Sequence, residues 1–223
     1  MSGPQRPTGS MGSRERVLAK VRAALADVPR GEDPEDVPVL RRYDRTHRQG
    51  PALDLLVDRL EDYKAQVHRV TDDGLPGAVA EALARRGAAR LAVPGDAPEE
   101  WFAQADAEVL RDSPWEERVL TVPELDAVDG TVTGCAVAVA ETGTIILDTG
   151  EHQGRRALTL VPDYHLCVVR ARQVVDSVPE ALERLEPALP QTWISGPSAT
   201  SDIELERIEG VHGPRTLEVL IVE

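Results

Sequence analysis

The sequence is poor in aromatic residues and in cysteine. Aromatic residues make up 3% of its 223 residues, so we expect a core built mainly of Val, Leu, Ile and Ala. The two cysteines, Cys135 and Cys167, lie inside apolar runs and are predicted to be buried, reduced thiols. Because an iron–sulfur cluster needs more thiolates or additional histidines, this chain is expected to bind no such cluster, and no cofactor of its own is expected.

Positive charge and long apolar runs are also scarce. Asp and Glu number 39 against 25 Lys and Arg, which gives a formal net charge of −14. This charge repels phosphate backbones and anionic lipids, so neither nucleic acid nor a membrane is an expected partner, and the basic patch at residues 40–48 is interpreted as a solvated linker. No segment approaches the ~20 apolar residues of a membrane span, and the N-terminus lacks a secretory signal, so a cytoplasmic location is expected.

The length allows one α/β domain preceded by an arm. Residues 1–12 are rich in Gly, Pro and Ser and are predicted to be disordered. Residues 13–50 are predicted to form a helical arm and a linker, with Ser13 capping a helix that ends before Pro29. The α/β domain is expected to occupy residues 51–223.

Hydrophobic periodicity predicts the elements of this domain. Helices are expected at residues 51–67, 77–87, 97–110 and 178–189. Strands are expected at residues 89–93, 118–122, 135–140, 144–147, 158–161, 166–169, 192–195 and 217–222. Several of these strands are continuously apolar, which is typical of strands covered on both faces. The sequence therefore predicts a largely parallel sheet flanked by helices.

Three polar clusters stand at the ends of the predicted strands. They are residues 141–144, residues 154–156 with Pro162 and His165, and residues 195–202 with residues 210–214. Ligands of open α/β sheets bind outside the carboxyl ends of the strands, where loops from several strands converge. We therefore expect the three clusters to meet there.

The third cluster places a glycine and small hydroxyl residues after a strand. Gly196, Ser198 and Thr200 would leave backbone N–H groups and hydroxyls free to hold an anion or a phosphate, with Asp202 at the start of a helix. The alternative is a tight loop whose hydroxyls only cap that helix. Among the histidines, His212 between glycine-containing turns is the best candidate for a ligand contact.

Glu141 follows an apolar strand and is flanked by Ala140 and, beyond Gly143, by Ile145. A partly desolvated carboxylate at this position would suit a general base or a nucleophile. The alternative is a bulge or bend at Gly143 that leaves Glu141 facing solvent.

Arg155 and Arg156 are candidates for a bidentate anion contact. The alternative is that one of the two only neutralises Glu141 or Asp148, and one is expected at the surface. His152, His165 and His212 lack metal-ligand spacing, so no metal site is expected.

Four motifs in residues 136–222 resemble the lactate utilisation protein C family, the so-called LUD domain. They read Ala-Glu-Thr-Gly-Thr-Ile-Ile-Leu, Arg-Arg-Ala-Leu-Thr-Leu-Val-Pro-Asp-Tyr-His, Ile-Ser-Gly-Pro-Ser-Ala-Thr-Ser-Asp-Ile-Glu and Gly-Val-His-Gly-Pro. The resemblance implies a fold like that of NagB, ribose-5-phosphate isomerase and the CoA transferases. It also implies a cytoplasmic system that oxidises L-lactate to pyruvate, in which partner subunits carry the iron–sulfur clusters. The chain departs from the family pattern at Ala199, where the family usually has arginine.

The first hypothesis is therefore a non-redox, ligand-binding subunit of a lactate oxidation system that works with iron–sulfur subunits and binds a small anion. Its candidate ligand-binding residues are Thr142, Gly143, Thr144, Arg156, His165, Gly196, Ser198, Thr200, Asp202 and His212, with Glu141 as a candidate catalytic residue. The alternatives are a free-standing acyl/CoA transferase-like or ligase-like enzyme that uses Glu141, and a structural assembly module that uses the arm helix.

Overall fold

The structure, a computed structural model, describes residues 12–27, 31, 50–114, 118–200, 208–209 and 212–223. The chain divides into two units, Met1–Tyr43 and Asp44–Glu223. The predicted disorder before residue 12 and most of the predicted linker lie outside the described residues. Among the helices that the structure describes, none has the length and apolar character needed to cross a bilayer.

The first unit contains one described helix, α1, at Ser13–Ala24. Gly12, not Ser13, is its N-cap, and the Gly12 N–H donates to the Glu15 carboxylate at 3.0 Å. This carboxylate in the first turn satisfies a backbone N–H that no helical carbonyl can reach. The predicted arm helix is therefore confirmed, but it begins with Ser13 as its first residue and ends earlier than expected.

The second unit contains four helices and twelve strands among the described residues. The helices are α2 at Ala52–Asp62, α3 at Leu75–Arg86, α4 at Val122–Asp126 and α5 at Val178–Arg184. The strands are β1 Gln66–Val70, β2 Arg90–Pro94, β3 Glu108–Asp112, β4 Gly130–Thr133, β5 Val137–Val139, β6 Thr144–Leu147, β7 Tyr164–Arg170, β8 Val174–Val175, β9 Thr192–Ile194, β10 Ala199–Thr200, β11 Ile208–Glu209 and β12 Thr216–Val222.

Six strands form a fully parallel sheet in the order β1-β12-β7-β4-β2-β3. One face of this sheet packs against α3 and Trp101, and the other face packs against α2 and a second sheet. The inner strands are therefore covered on both sides, which is why residues 166–169 of β7 and residues 219–222 of β12 are continuous apolar runs. The predicted α/β fold with a largely parallel sheet is confirmed.

The second sheet has the order β8-β5-β6-β9, with β5 and β6 joined as an antiparallel hairpin. Ala138 and Ile145 pack toward the parallel sheet and α2, whereas Val137 and Ile146 pack against α5. Both faces of the hairpin are thus buried, so its apolar runs are continuous although its strands are antiparallel. A remaining pair, β10 and β11, is antiparallel.

Two predicted helices were partly wrong. Residues 51–67 do not form one helix, because α2 ends at Asp62 and Lys64 has a φ of 71°, after which residues 66–70 form the edge strand β1. His68 therefore lies on a strand. Residues 97–110 form a short 3-10 helix, Glu99–Phe102, followed by the other edge strand β3.

Two predicted strands were also wrong. Residues 118–122 lead into α4, because Thr121 and Glu124 form a capping box at its first turn. Residues 158 and 159 instead form the end of a 3-10 helix at Arg156–Thr159, and residues 160–161 follow it. The helix predicted at residues 77–87 was predicted well, since α3 ends at Arg86 and is followed by Gly87, which has the left-handed φ of 69° expected of a C-cap.

Candidate functional site

A cavity of about 260 Å³ opens beside His165 and is called the His165 cavity here. Its lining consists of Arg156, Thr159, Leu160, His165, Thr192, Trp193, Ile194, Ser195, Gly196, Pro197, Ser198, His212, Gly213, Pro214 and Leu217. His165 and Leu217 are the second residues of β7 and β12, so the cavity lies at the amino ends of these strands.

The expected position at the carboxyl ends of the strands was therefore wrong. The polar clusters precede the parallel strands to which they belong: the 3-10 helix at Arg156 leads into β7, and the loops around Ser198 and His212 lead into β12. Because the two strands are parallel neighbours, the segments that precede them meet at the amino ends of the strands. The sequence thus predicted the convergence of these clusters but not its location.

Five of the residues predicted for the site line this cavity: Arg156, His165, Gly196, Ser198 and His212. The predicted contributions of Asp202 and of the Thr200 side chain lie outside what the structure describes. The lining also includes Trp193 and Leu160, which the sequence did not single out. The only signal for Trp193 was a large aromatic residue next to a polar cluster, and this pattern has low specificity.

The 141–143 segment is the turn between β5 and β6, and Glu141 does not line the His165 cavity. The Glu141 N–H donates to the Asp176 carbonyl at 3.0 Å, which holds this turn beside β8. β8 and β9 are at opposite edges of the four-stranded sheet, and β9 is the strand that lines the cavity. The expectation that the Glu141 carboxylate shares one pocket with the serine-rich loop is corrected accordingly.

The hydroxyl residues of the same hairpin do reach the wall of the cavity. The Thr144 hydroxyl lies 2.8 Å from that of Ser195, and the Thr142 hydroxyl lies 2.7 Å from that of Thr144. Gly143 packs against α2, where a Cβ atom would come within 2.8 Å of the Arg59 Cβ. The hairpin therefore supports the cavity from behind through Ser195.

Gly196 is required by the geometry of the loop that follows β9. Its φ is 84°, and an added Cβ would lie 2.6 Å from the Tyr63 Cβ and 2.8 Å from the Tyr63 carbonyl oxygen. Only glycine tolerates both this backbone conformation and this close approach. The loop is therefore held directly against the end of α2.

Ser198 joins the two loops that precede β12. Its N–H donates to the Pro214 carbonyl at 2.8 Å, and its hydroxyl accepts a hydrogen bond from the His212 N–H at 3.1 Å. These two bonds fix the loop at residues 195–198 against the loop at residues 212–214. Ser198 and His212 therefore occupy defined positions at the cavity.

His165 is 1% exposed and lies at the base of the cavity. Its Nε2 lies 2.8 Å from the Thr133 hydroxyl oxygen, which is also 2.9 Å from the Gly134 carbonyl oxygen. These contacts fix the position of the ring at the base of the cavity.

Both cysteines are free and buried, as predicted, and Cys167 lies beside His165. Hydrogen bonding to the Cys135 thiol, with a smaller contribution from His165, lowers the pKa of the Cys167 thiol. The same contact with Cys167, together with burial, raises the pKa of Cys135. Cys167 is thus the more acidic of the two thiols.

The two consecutive arginines have different roles. Arg155 donates from Nε and a terminal nitrogen to the Asp112 carboxylate at 2.7 and 3.1 Å, and the Asp112 side chain is 0% exposed. Arg156 is exposed, lines the cavity and approaches the Thr192 hydroxyl at 3.5 Å. Arg155 therefore neutralises Asp112, rather than Glu141 or Asp148, while Arg156 is placed to attract an anion.

The start of β7 is fixed to the start of β12 by an ion pair. Arg215 donates to the two carboxylate oxygens of Asp163 at 2.6 and 2.7 Å. This hydrogen bonding lowers the pKa of Asp163 below its usual value. The pair therefore stabilises the fold above the ordinary carboxyl pKa of about 3.9, and this contribution is lost as the pH falls through the lowered pKa.

We expect Arg215→Gln to lower the free energy of unfolding by about 0.5 kcal/mol at neutral pH, because both side chains are substantially exposed. The difference between variant and wild type should vanish at a pH below the lowered pKa of Asp163, where this carboxyl group is protonated in both proteins. Urea unfolding at the two pH values measures it. An equal difference at both pH values would show that the ion pair is not its cause.

The lining of the His165 cavity suits a small anion. It combines a guanidinium, two histidines and several hydroxyls, and none of its described lining residues is Asp or Glu. Guanidinium and hydroxyl donors match carboxylate and phosphate oxygens. Across the described part of the chain, no group of three or more His, Cys, Asp or Glu side chains is placed to hold a metal ion.

Comparison with known proteins finds the same family over most of the chain. The sequence model of the LUD domain matches residues 53–222. Lactate utilization protein C of Deinococcus radiodurans is 44% identical over 97% of this chain and 98% of its own length. Lactate utilization protein C of Bacillus licheniformis is 27% identical over 78% of this chain and 81% of its own length.

A solved structure gives the same result for the fold. The crystal structure of a DUF162 family protein from Deinococcus radiodurans has a TM-score of 0.65 and 44% sequence identity with this chain. The match covers 77% of this chain and 96% of that one.

Proposed function

Because this chain belongs to the LUD domain family, we propose that it is the non-redox, ligand-binding subunit of a cytoplasmic lactate utilisation system. The observation that carries this proposal is the 44% identity, over nearly the whole of both chains, with a lactate utilization protein C. In the proposed system the oxidation of L-lactate takes place on partner subunits that hold iron–sulfur clusters. Cys135 and Cys167 are the two cysteines of the chain, both buried, which fits a subunit without a cluster of its own.

The ligand proposed for the His165 cavity is a small carboxylate or a phosphate group. Its volume of about 260 Å³ is slightly below the range of about 300–1,000 Å³ that is typical of sites for drug-sized molecules. In the proposed complex, Arg156 provides the charge, and the hydroxyls of Ser195 and Ser198 donate hydrogen bonds to the anion. His165 is placed to bind a further polar atom at the base.

Growth on L-lactate as sole carbon source tests the role in lactate utilisation. A strain without this gene should fail to grow, and the wild-type gene should restore growth. Normal growth of the deletion strain on lactate would contradict the proposal. Purified chain should also bind the iron–sulfur subunits, and a failure to co-purify with them or to alter lactate oxidation would overturn the partner assignment.

Variants of the cavity test the ligand-binding role. We expect Arg156→Gln combined with Ser198→Ala to reduce lactate oxidation about tenfold or more, the effect of losing roughly 1.4 kcal/mol of charge-assisted hydrogen bonding. Arg22→Gln on α1 removes the same charge outside the cavity and serves as the control. If the double variant is folded and fully active, the cavity is not the ligand site.

Glu141→Gln separates this role from that of a transferase-like enzyme. Since Glu141 does not line the His165 cavity, the variant should support lactate oxidation as the wild type does. Acyl-CoA turnover by the isolated chain, lost in Glu141→Gln, would instead favour the enzymatic alternative.

A further inference from the structure

A second and larger cavity lies at the other end of the strands of the parallel sheet. It has a volume of about 620 Å³ and receives residues from the segments that follow β2, β4 and β7. Glu100 and Trp101 come after β2, Gly134 and Cys135 come after β4, and Arg170 ends β7. The cavity is therefore at the carboxyl ends of three adjacent parallel strands, and it is called the switch-point cavity below.

The chain leaves β2 and β4 toward opposite faces of the sheet. After β2, Ala97 and Trp101 pack with α3 on one face. After β4, Cys135 and Ala138 pack with α2 on the other face. β2 and β4 are hydrogen-bonded neighbours, so their connections diverge and leave a crevice between them. In open α/β sheets such a switch point is the general position of a ligand site.

The walls of this crevice are tied together by short hydrogen bonds. His152 donates its N–H to the Asp96 carboxylate at 2.8 Å and accepts from the Gly134 N–H through its carbonyl at 2.7 Å. Gln173 donates to the Cys135 carbonyl at 2.5 Å and accepts from the Arg170 N–H at 2.8 Å. The segments after all three strands are thereby held in place before any ligand binds, which lowers the entropic cost of binding.

One wall of the cavity carries positive charge in a chain whose net charge is −14. Arg172 and Arg184 line it, and the Arg184 guanidinium donates to the Arg172 carbonyl at 2.9 Å. Within the described residues, neither arginine forms an ion pair with a carboxylate, whereas Arg170 is paired with Asp72. Arg172 and Arg184 are therefore the cations available to a ligand.

The remaining charges of the lining are acidic: Glu100, Asp148 and Glu151. A ligand that fills the cavity must therefore present an anionic group to the arginines and hydrogen-bond donors to the carboxylates. We propose that the switch-point cavity is a second binding site, for an organic anion that carries a phosphate or carboxylate group together with hydroxyl or amino groups. This site is independent of the ligand proposed for the His165 cavity.

Thermal unfolding of the full chain with AMP or with citrate tests the proposal. AMP supplies a phosphate and citrate supplies carboxylates, and both carry hydroxyl groups. At about 10 mM, binding with a Kd of about 1 mM should raise the Tm by roughly 3 °C or more for at least one of them. The compound that raises the Tm identifies the anionic group, and no rise with either would overturn the proposal.

Variants locate the binding. Arg172→Gln combined with Arg184→Gln should abolish the rise, whereas Arg14→Gln combined with Arg16→Gln removes the same charge on α1 and should preserve it. Both arginines of the cavity are exposed, so the unliganded Tm of the first variant should stay close to that of the wild type. Persistence of the rise in the first variant would overturn the site.

Two further measurements separate this site from the His165 cavity. Arg156→Gln combined with Ser198→Ala should preserve the rise, and its loss in that variant would place the anion in the His165 cavity and overturn the second site. In a Trp115→Phe and Trp193→Phe background, which leaves Trp101 as the remaining tryptophan, ligand binding should change the fluorescence of Trp101, which lines the switch-point cavity. Unchanged fluorescence despite a rise in Tm would also count against it.

Discussion

Arg155→Met is expected to lower the free energy of unfolding by about 3–5 kcal/mol, the cost of leaving a buried charge without its partner. The Asp112 carboxylate is fully buried, and Arg155 supplies two of its hydrogen bonds. The Leu120 N–H donates to the same carboxylate at 2.7 Å but carries no formal charge. Chemical denaturation of the purified variant measures the loss.

Two variants serve as controls for this prediction. Arg156→Met changes the neighbouring arginine, which is exposed, and should alter stability by no more than about 0.5 kcal/mol. Adding Asp112→Leu to Arg155→Met removes the buried carboxylate that has lost its partner, and it should recover a large part of the lost free energy of unfolding. Equal destabilisation by the two single arginine changes would show that the pair with Asp112 is not responsible.

Glu218→Ala should cost about 3 kcal/mol, because it removes a buried acceptor and leaves a void in β12. Glu218 is 3% exposed and accepts from the Tyr164 hydroxyl at 2.8 Å and from Arg85 at 2.7 Å. His68 lies 3.0 Å from the same carboxylate. Burial, together with the adjacent Glu218 carboxylate, raises the pKa of Tyr164 well above its usual value, so its hydroxyl remains a donor.

The matched control is Glu218→Gln, which keeps an acceptor for the Tyr164 hydroxyl and should cost only about 1 kcal/mol. Combining Tyr164→Phe with Glu218→Ala removes the unsatisfied hydroxyl and should be less damaging than the sum of the two single changes. Strict additivity would mean that the two groups do not interact. Denaturant unfolding curves for the wild type and the four variants provide the comparison.

Three of the four inner strands of the parallel sheet, β2, β7 and β12, were predicted, whereas the inner strand β4 at Gly130–Thr133 was missed and the two edge strands were predicted as parts of helices. β7 and β12 are covered on both faces, so each contains an unbroken apolar run, residues 166–169 in β7 and residues 219–222 in β12. β1 and β3 are edge strands that include charged residues. Val67 continued the helical spacing of α2, and the residues of β3 continued the helical spacing of the segment before them. Local periodicity therefore favoured a helix in both places. The actual structure is a strand in both because each segment pairs with a strand that is distant in the sequence.

The candidate site shows a similar limit. Small hydroxyl residues and glycine identified the loops around Ser198 and His212, because such composition is itself a local signal. Whether those loops lie at the amino or the carboxyl end of the sheet depends on which strand follows them. Glu141 was placed in the pocket because it follows an apolar run, yet a hairpin turn between two buried strands produces the same pattern.

Strand β7 contributes residues to both cavities, so a movement of this strand would affect both of them. His165 lies near its start and Arg170 at its end, about 17 Å apart along an extended strand. β12 pairs with β7 along its whole length and β4 pairs with its residues 165–167, and this pairing makes β7 stiff. A substitution that slides this strand would therefore deform the two cavities in concert, whereas a change in β9 would deform only one.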